Sequence, residues 1–173
     1  MSRRYPDSVA GPYEPPPKTF TDAHGHRIRV EHYDGEFDAL VEMYLQFDPE
    51  DRAQGIPPTG EDRIRTWLET LLNDGCVNVV AKHDDGPVGH ATLVPDDDGT
   101  YELAIFVLRE YQGAGVGTEL IKSLLAAGRE SGIETVWLTV ERWNNAAIAL
   151  YKNVGFEPSD TNSFELEMAA RLE

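Results

Sequence analysis

The sequence predicts an α/β domain on a mixed β-sheet, and three observations carry that expectation. Short β-branched runs separated by Asp-Asp-Gly turns fill Cys76 to Val107; helix and strand then alternate from Val116 to Met168; and the earlier segment from Arg27 to Leu72 passes from a period of two to helical spacing. A strand-helix-strand crossover placed after a meander gives a sheet with antiparallel and parallel neighbours and helices on its faces.

The elements follow in order. Met1 to Phe20 is polar and proline-rich, with Pro15, Pro16 and Pro17 in succession. It has no signal-peptide pattern and is expected to be a disordered or loosely docked tail ahead of a single domain over residues 21–173. Arg27–His32 alternates Ile28 and Val30 with polar neighbours and reads as a first strand. Phe37, Leu40, Val41, Tyr44 and Leu45 recur at helical spacing until Asp48-Pro49. Phe47 to Pro58 carries three prolines and a glycine, which makes it a loop. Thr59 is the expected cap of a second helix, with Asp62 three residues on and Ile64, Trp67, Leu68, Leu71 and Leu72 on one face.

Cys76–Ala81, Val88–Val94 and Tyr101–Val107 form the meander, turning at Asp84-Asp85-Gly86 and Asp97-Asp98-Gly99. Val116, Leu120, Ile121, Leu124 and Leu125 then mark an amphipathic helix. Thr135–Val140 is a buried strand, and Asn145–Val154 is a helix ended by Gly155. Phe164, Leu166 and Met168 alternate as a final strand.

Length and composition set bounds. The 173 residues, 40% hydrophobic, suit one soluble globular domain, and no apolar run is long enough to cross a bilayer. Cys76 is the only cysteine, so no intramolecular disulfide or cysteine cluster for zinc can form, and the cytoplasm is the expected compartment. His24, His26, His32, His83 and His90 show no repeated metal-ligand spacing, although His24 and His26 are close, and no metal is expected. A formal charge of -16 argues against nucleic acid as a partner, because phosphate contacts need clustered Lys and Arg. Only four lysines are present and the acids are spread along the chain. Such a surface suits either a high-salt, halophilic cytoplasm or an acidic funnel for a cationic substrate.

Two stretches carry chemistry. Gln112-Gly113-Ala114-Gly115-Val116-Gly117 lies between a strand and a helix. Its glycines let backbone N–H groups approach an anion, to which the helix adds the positive end of its dipole. The stretch lacks the Gly-Lys-Ser/Thr ending of a P-loop and the Gly-x-Gly-x-x-Gly spacing of a dinucleotide fold. In Asn144 to Phe156, Asn144 and Tyr151 are two helical turns apart and face one side. Both stretches follow parallel strands and can open on one crevice at the strands' carboxyl ends.

Together these residues resemble the GNAT family of N-acetyltransferases. Gln112-x-x-Gly115-x-Gly117 is similar to the family's acetyl-coenzyme A loop, and Asn144-x-x-Ala147-Ile148-x-Leu150-Tyr151 with Gly155-Phe156 to its second signature. The likeness is tight from Tyr101 to Phe156. It implies a mixed sheet of six or seven strands, with acetyl-coenzyme A as co-substrate wedged where the fourth and fifth splay apart. It further implies that the backbone of Phe106 and Val107 holds the pantetheine arm. The pyrophosphate would lie on Gln112, Gly113, Ala114, Gly115, Val116, Gly117 and Thr118, with Asn144 near the thioester and Tyr151 as general acid. A main-chain N–H near Val107 would stabilise the oxyanion.

For the base, Glu102 lies on the fourth strand on the face of Ala104 and Phe106, and Glu141 at the end of the fifth strand is its rival. Ribosomal-protein N-terminal acetyltransferases resemble the chain around Asn144 and Tyr151, but their strand glutamate falls where this sequence has Thr139. The expectation is therefore acetyl transfer to a primary amine of a protein or a small molecule, with the acceptor site built by the Phe47–Pro58 loop and its flanking helices. A non-catalytic acetyl-coenzyme A sensor is the alternative. The expected partner is the amine acceptor, with no nucleic acid or membrane and with a homodimer left open.

Overall fold

A computed structural model describes residues 3–48, 56–159 and 165–173. In chain order come β1 (Lys18–Thr21), β2 (Arg27–His32), α1 (Phe37–Leu45), α2 (Glu61–Leu71), β3 (Val77–His83), β4 (Gly86–Pro95) and β5 (Tyr101–Val107). There follow α3 (Val116–Glu130), β6 (Thr135–Glu141), α4 (Asn145–Asn153), β7 (Glu157–Pro158) and β8 (Glu165–Arg171). The strands form one sheet in the order β1-β2-β3-β4-β5-β6-β8-β7, antiparallel throughout except at β5–β6. The mixed α/β class is as expected, with eight strands instead of six or seven.

The added strands lie at the two edges. β1 pairs with β2 from Lys18↔Val30 to Thr21↔Arg27, so the boundary expected after Phe20 falls inside a strand. Upstream, the Ala10 N–H donates to the Arg171 carbonyl at 2.7 Å and the Tyr13 hydroxyl to the Val154 carbonyl at 2.9 Å. The amino-terminal segment therefore runs from the β8 side of the sheet, past the end of α4, to the β1 edge. Gly155 allows this passage. Its φ is +109°, and a Cβ there would lie 2.6 Å from the Ala10 Cβ.

Two local expectations are corrected or fall outside. α2 is capped by Gly60, at φ 88°, without a side-chain cap bond, so Thr59 is not the cap. The chain enters this helix through a left-handed turn that glycine tolerates, and Thr59 sits one residue too early. Phe164 lies outside the described residues, and β8 begins at Glu165.

Side-chain alternation divides β5 between two layers. Phe106 packs edge-on against Tyr44 of α1 and Trp67 of α2, with ring centroids 5.5 and 5.3 Å away. Ile105 faces the other layer, where its Cδ1 lies 3.9 Å from the position of a Cβ on Gly117 in α3. α3 lies close on the sheet because Gly89 and Gly128 have no side chains: a Cβ would meet Leu120 at 3.2 Å and Leu93 at 2.7 Å respectively. The fully buried Leu40, Met43, Ile64 and Leu68 fill one layer and Leu120, Ile121, Leu124 and Leu125 the other. Burial of each such side chain contributes roughly 1.5–3 kcal/mol.

Candidate active site

The parallel junction of the sheet is short. β5 and β6 pair only at Tyr101↔Val136 and Glu102↔Trp137, and from Leu103 onward the strands part. On its other edge β5 stays paired with β4 up to Gly89↔Val107. The Leu108 N–H donates to the Val88 carbonyl at 2.9 Å, so by the alternation of an antiparallel ladder Phe106 turns its N–H and C=O toward His90. Val107 and Ile105 turn theirs toward the gap. Of the two residues expected to present backbone there, Val107 does so, whereas Phe106 contributes its ring to the α1–α2 layer and Ile105 takes its backbone place. The Val107 carbonyl accepts from Gln112 Nε2 at 2.9 Å, which leaves the Val107 N–H as the donor of that residue.

The gap leads to the glycine loop. Gly113 and Gly115 have φ of 70° and 94°, and neither would bring a Cβ within 4 Å of another atom, so the ground in front of them is open. Gly115 is the N-cap of α3 and no side chain caps that end. The first-turn N–H groups at Val116, Gly117 and Thr118 are those a helix leaves without intrahelical partners. The Ala114 carbonyl is drawn the other way, accepting from the Ala23 N–H at 3.0 Å. Outward N–H groups, left-handed glycines and the helix dipole make a cradle for a phosphate or pyrophosphate.

α4 closes the same region. A Cβ on Gly117 would lie 3.2 Å from Leu150 Cδ1, so the first turn of α3 abuts α4 one residue before Tyr151. Asn144 is the N-cap of α4, and its Oδ1 accepts from the Ala147 N–H at 3.2 Å. Its carbonyl end thus serves the helix, and its NH₂ end is the half a ligand can use. The Tyr151 ring packs 5.9 Å from that of Phe156, and burial pushes its hydroxyl up to about 12. The phenol therefore keeps its proton through the ordinary pH range.

Glu102 faces the α1–α2 layer with Ala104 and Phe106, at the closed end of the gap. Its side chain reaches solvent, yet loss of solvation pushes its carboxyl up; Arg3 opposes the rise, and Asp96, Glu167 and Glu165 add to it. Glu141 stands at the open end of β6, opposite Glu165 of β8.

The layer over Phe106 is aromatic. Tyr44 stacks on Phe47 at 5.5 Å and meets Trp67 edge-on at 5.1 Å. Beneath it lies a buried relay: Tyr44 Oη and His90 Nδ1 are 2.7 Å apart, and His90 Nε2 and Asn78 Oδ1 are also 2.7 Å apart. Asn78 Nδ2 donates to the Leu71 carbonyl at 2.8 Å. Burial lowers the His90 imidazole to about 3, so it is neutral, with its proton on Nε2 facing Asn78 and Nδ1 accepting from Tyr44. The relay ties α1 and the end of α2 to the sheet. Residues 49–55 of the expected acceptor loop lie outside the described residues.

Asp22, His24 and His26 bring ligand atoms within 4.8 Å of one another at the β1–β2 turn. The turn itself accounts for the grouping: Asp22 Oδ1 accepts from the N–H groups of His24 and His26 at 3.0 and 2.8 Å, and Oδ2 lies 2.9 Å from His26 Nδ1. Trp137 and Arg3, which the sequence pattern did not single out, join the Glu102 neighbourhood through sheet register and the docked amino-terminal segment.

A splayed parallel strand pair that ends in a glycine cradle and an uncapped helix defines the class. The model of the acetyltransferase (GNAT) family matches residues 37–156, and the chain belongs to that family. An uncharacterised N-acetyltransferase of Mycobacterium tuberculosis is 35% identical over 101 residues, which cover 58% of this chain and 65% of the relative. The match thus spans just under two thirds of that protein. Among solved structures, the GNAT domain of S. lividans PAT superposes with a TM-score of 0.76 at 18% identity, covering 90% of this chain and 97% of that one. The Salmonella typhimurium protein yncA, solved with its cofactor acetyl-CoA, gives 0.66 at 21% identity, covering 84% and 94%. At these identities the structural likeness is one of fold. Among the described residues, no helix is long and apolar enough to cross a membrane.

Proposed function

We propose that the protein is an acetyl-coenzyme A dependent N-acetyltransferase that acts on a primary amine, of a protein lysine or N-terminus or of a small molecule. The observation that carries this reading is the gap beyond Glu102 and Trp137. Its β5 edge offers backbone groups of Ile105 and Val107, and it ends at the Gly113–Gly115 cradle. An arm that hydrogen-bonds like a strand and terminates in a pyrophosphate matches both features, and the acetyl-CoA bound by yncA supports the choice.

The residues divide the chemistry. Glu102 takes a proton from the attacking ammonium group, so that the amine nitrogen can form its bond to the thioester carbon. Of the β5 N–H groups that face the gap, that of Ile105 is the nearer to Glu102 and meets the oxygen on which negative charge develops. As the carbon–sulfur bond breaks, Tyr151 gives its proton to the departing thiolate, a role for which a protonated phenol is suited. Asn144 fixes the start of α4 and with it the placement of Tyr151.

The lone Cys76 and the charge of -16 support a cytoplasmic, high-salt setting. Thiol release from acetyl-coenzyme A with a panel of amines, followed by mass analysis of the products, tests the function. Amine-dependent release with an N-acetylated product is expected. Binding of acetyl-coenzyme A without turnover on any amine would identify a sensor module instead.

A further inference from the structure

A cation already sits beside Glu102. The guanidinium of Arg3 lies 3.8 Å from the centroid of the Trp137 ring, and its Nε pairs with a carboxylate oxygen of Glu167. The Arg3 side chain is 21% exposed and that of Glu167 12%, so the pair is largely out of water, where charge-assisted and cation–π contacts are strongest. The ring beneath is fixed: Trp137 Nε1 donates to Asp96 Oδ2 at 2.8 Å, and Asp96 Oδ1 accepts from the N–H groups of Asp98 and Thr100 at 2.9 and 3.1 Å.

Register puts this seat next to the site of chemistry. Trp137 is opposite Glu102 across β5–β6, and Thr139 is opposite Glu167 across β6–β8. Glu102, Trp137 and Glu167 therefore share one face on three successive strands, with Glu102 directly beside Trp137 and Glu167 on the diagonal, roughly 8 Å from it. Nor does the amino-terminal segment need Arg3 as its anchor. It is also held by Arg171 Nε to the Pro6 carbonyl at 2.7 Å, the Ala10–Arg171 bond and the Tyr13–Val154 bond. Arg3 can leave while the segment stays docked.

We propose that the seat formed by Trp137 and Glu167 is a cation subsite for the acceptor, filled by Arg3 until the acceptor arrives. The acceptor is then a primary amine with a second positive group, guanidinium or ammonium, a few bonds from the nucleophilic nitrogen. This rests on the reading of Glu102 as the base at the acyl-transfer site. The carboxylates of Asp96, Glu165 and Glu167 around Glu102 reinforce the preference for such a dication.

Direct binding by the full chain tests the inference apart from turnover. Agmatine and alanyl-arginine amide are titrated calorimetrically, against butylamine and alanyl-norleucine amide, which lack the second charge. The charged pair should bind at least tenfold more tightly, and Arg3→Ala should tighten it by about a further tenfold by removing the tethered competitor. Arg4→Ala should change nothing. On the Arg3→Ala background, Glu167→Gln and Trp137→Leu, each checked for folding by its melt, should abolish the preference. A higher affinity for the dipeptide assigns a peptide source for the acceptor, and the reverse order a small amine. Equal binding of charged and uncharged amines by Arg3→Ala overturns the subsite. Selective agmatine binding without any thiol release would keep the subsite and count against the transferase reading.

Discussion

Glu102 faces Trp137 across the parallel junction of β5 and β6, and this is the last pair before the two strands part. The carboxylate therefore stands at the closed end of the gap, where an arm laid along Ile105 and Val107 would bring its far end. Glu141 lies four residues farther along β6 than Trp137, roughly 13 Å away at about 3.3 Å per residue. Glu102 and Glu141 thus stand at opposite ends of the gap, and each part of the site has a consequence that can be measured.

The glycine cradle predicts a loss of cofactor affinity in Gly115→Asp. The side chain would be forced onto a φ of 94° and would set a negative charge before the first-turn N–H groups of α3. Acetyl-coenzyme A binding should fall well over tenfold, more than ~1.4 kcal/mol. Calorimetry on the folded variant reads this, and unchanged affinity would remove the pyrophosphate from this loop.

Tyr151→Phe keeps the ring and its packing on Phe156 and removes only the hydroxyl. If that hydroxyl protonates the leaving thiolate, kcat should fall on the order of 10²-fold with little change in acetyl-coenzyme A affinity. Steady-state kinetics paired with calorimetry separates the two quantities. A fully active variant would take Tyr151 out of the mechanism.

The net charge of -16 predicts that salt stabilises the fold by screening carboxylate repulsion. Thermal melts from low to molar potassium chloride should show Tm rising, by about 2–4 °C for each kcal/mol gained in a chain of this size. A flat or falling Tm would mean that the acids serve chiefly to steer a cationic acceptor.

Much of this architecture is legible in the sequence because it depends on local periodicity. The spacing of Val116, Leu120, Ile121, Leu124 and Leu125 is that of α3, and the Asp-Asp-Gly turns delimit β3, β4 and β5. Features that depend on register or on distant partners were less legible. β1 has only Phe20 as a large apolar residue and exists because the β2 edge receives it. β7 is two exposed residues on β8. The orientation of the Phe106 backbone toward β4 depends on which ladder positions bond, and hydrophobic alternation carries no such information. Asn144 shows both sides: its residue type fits a ligand contact, and the structure employs its Oδ1 as the cap of α4. Trp137 and Arg3 were silent because their partners are distant in sequence, Asp96 lying 41 residues from Trp137 and Glu167 lying 164 from Arg3, and such pairs leave no local pattern.

The pH dependence of kcat/KM in the wild type and in Glu102→Gln tests the assignment of the acyl-transfer site most directly. The base must be ionised, and burial with nearby acids raises the Glu102 carboxyl. The wild-type rate should therefore climb with pH on a limb lying above the ordinary glutamate range. Glu102→Gln should lose that limb and about 10²-fold in rate near neutrality, then recover part of the loss at high pH as the amine deprotonates unaided. Glu141→Gln should retain most of the wild-type profile. Equal, pH-independent losses in the two variants, or a Glu102→Gln enzyme with the wild-type profile, would contradict the placement of the base at the junction of β5 and β6.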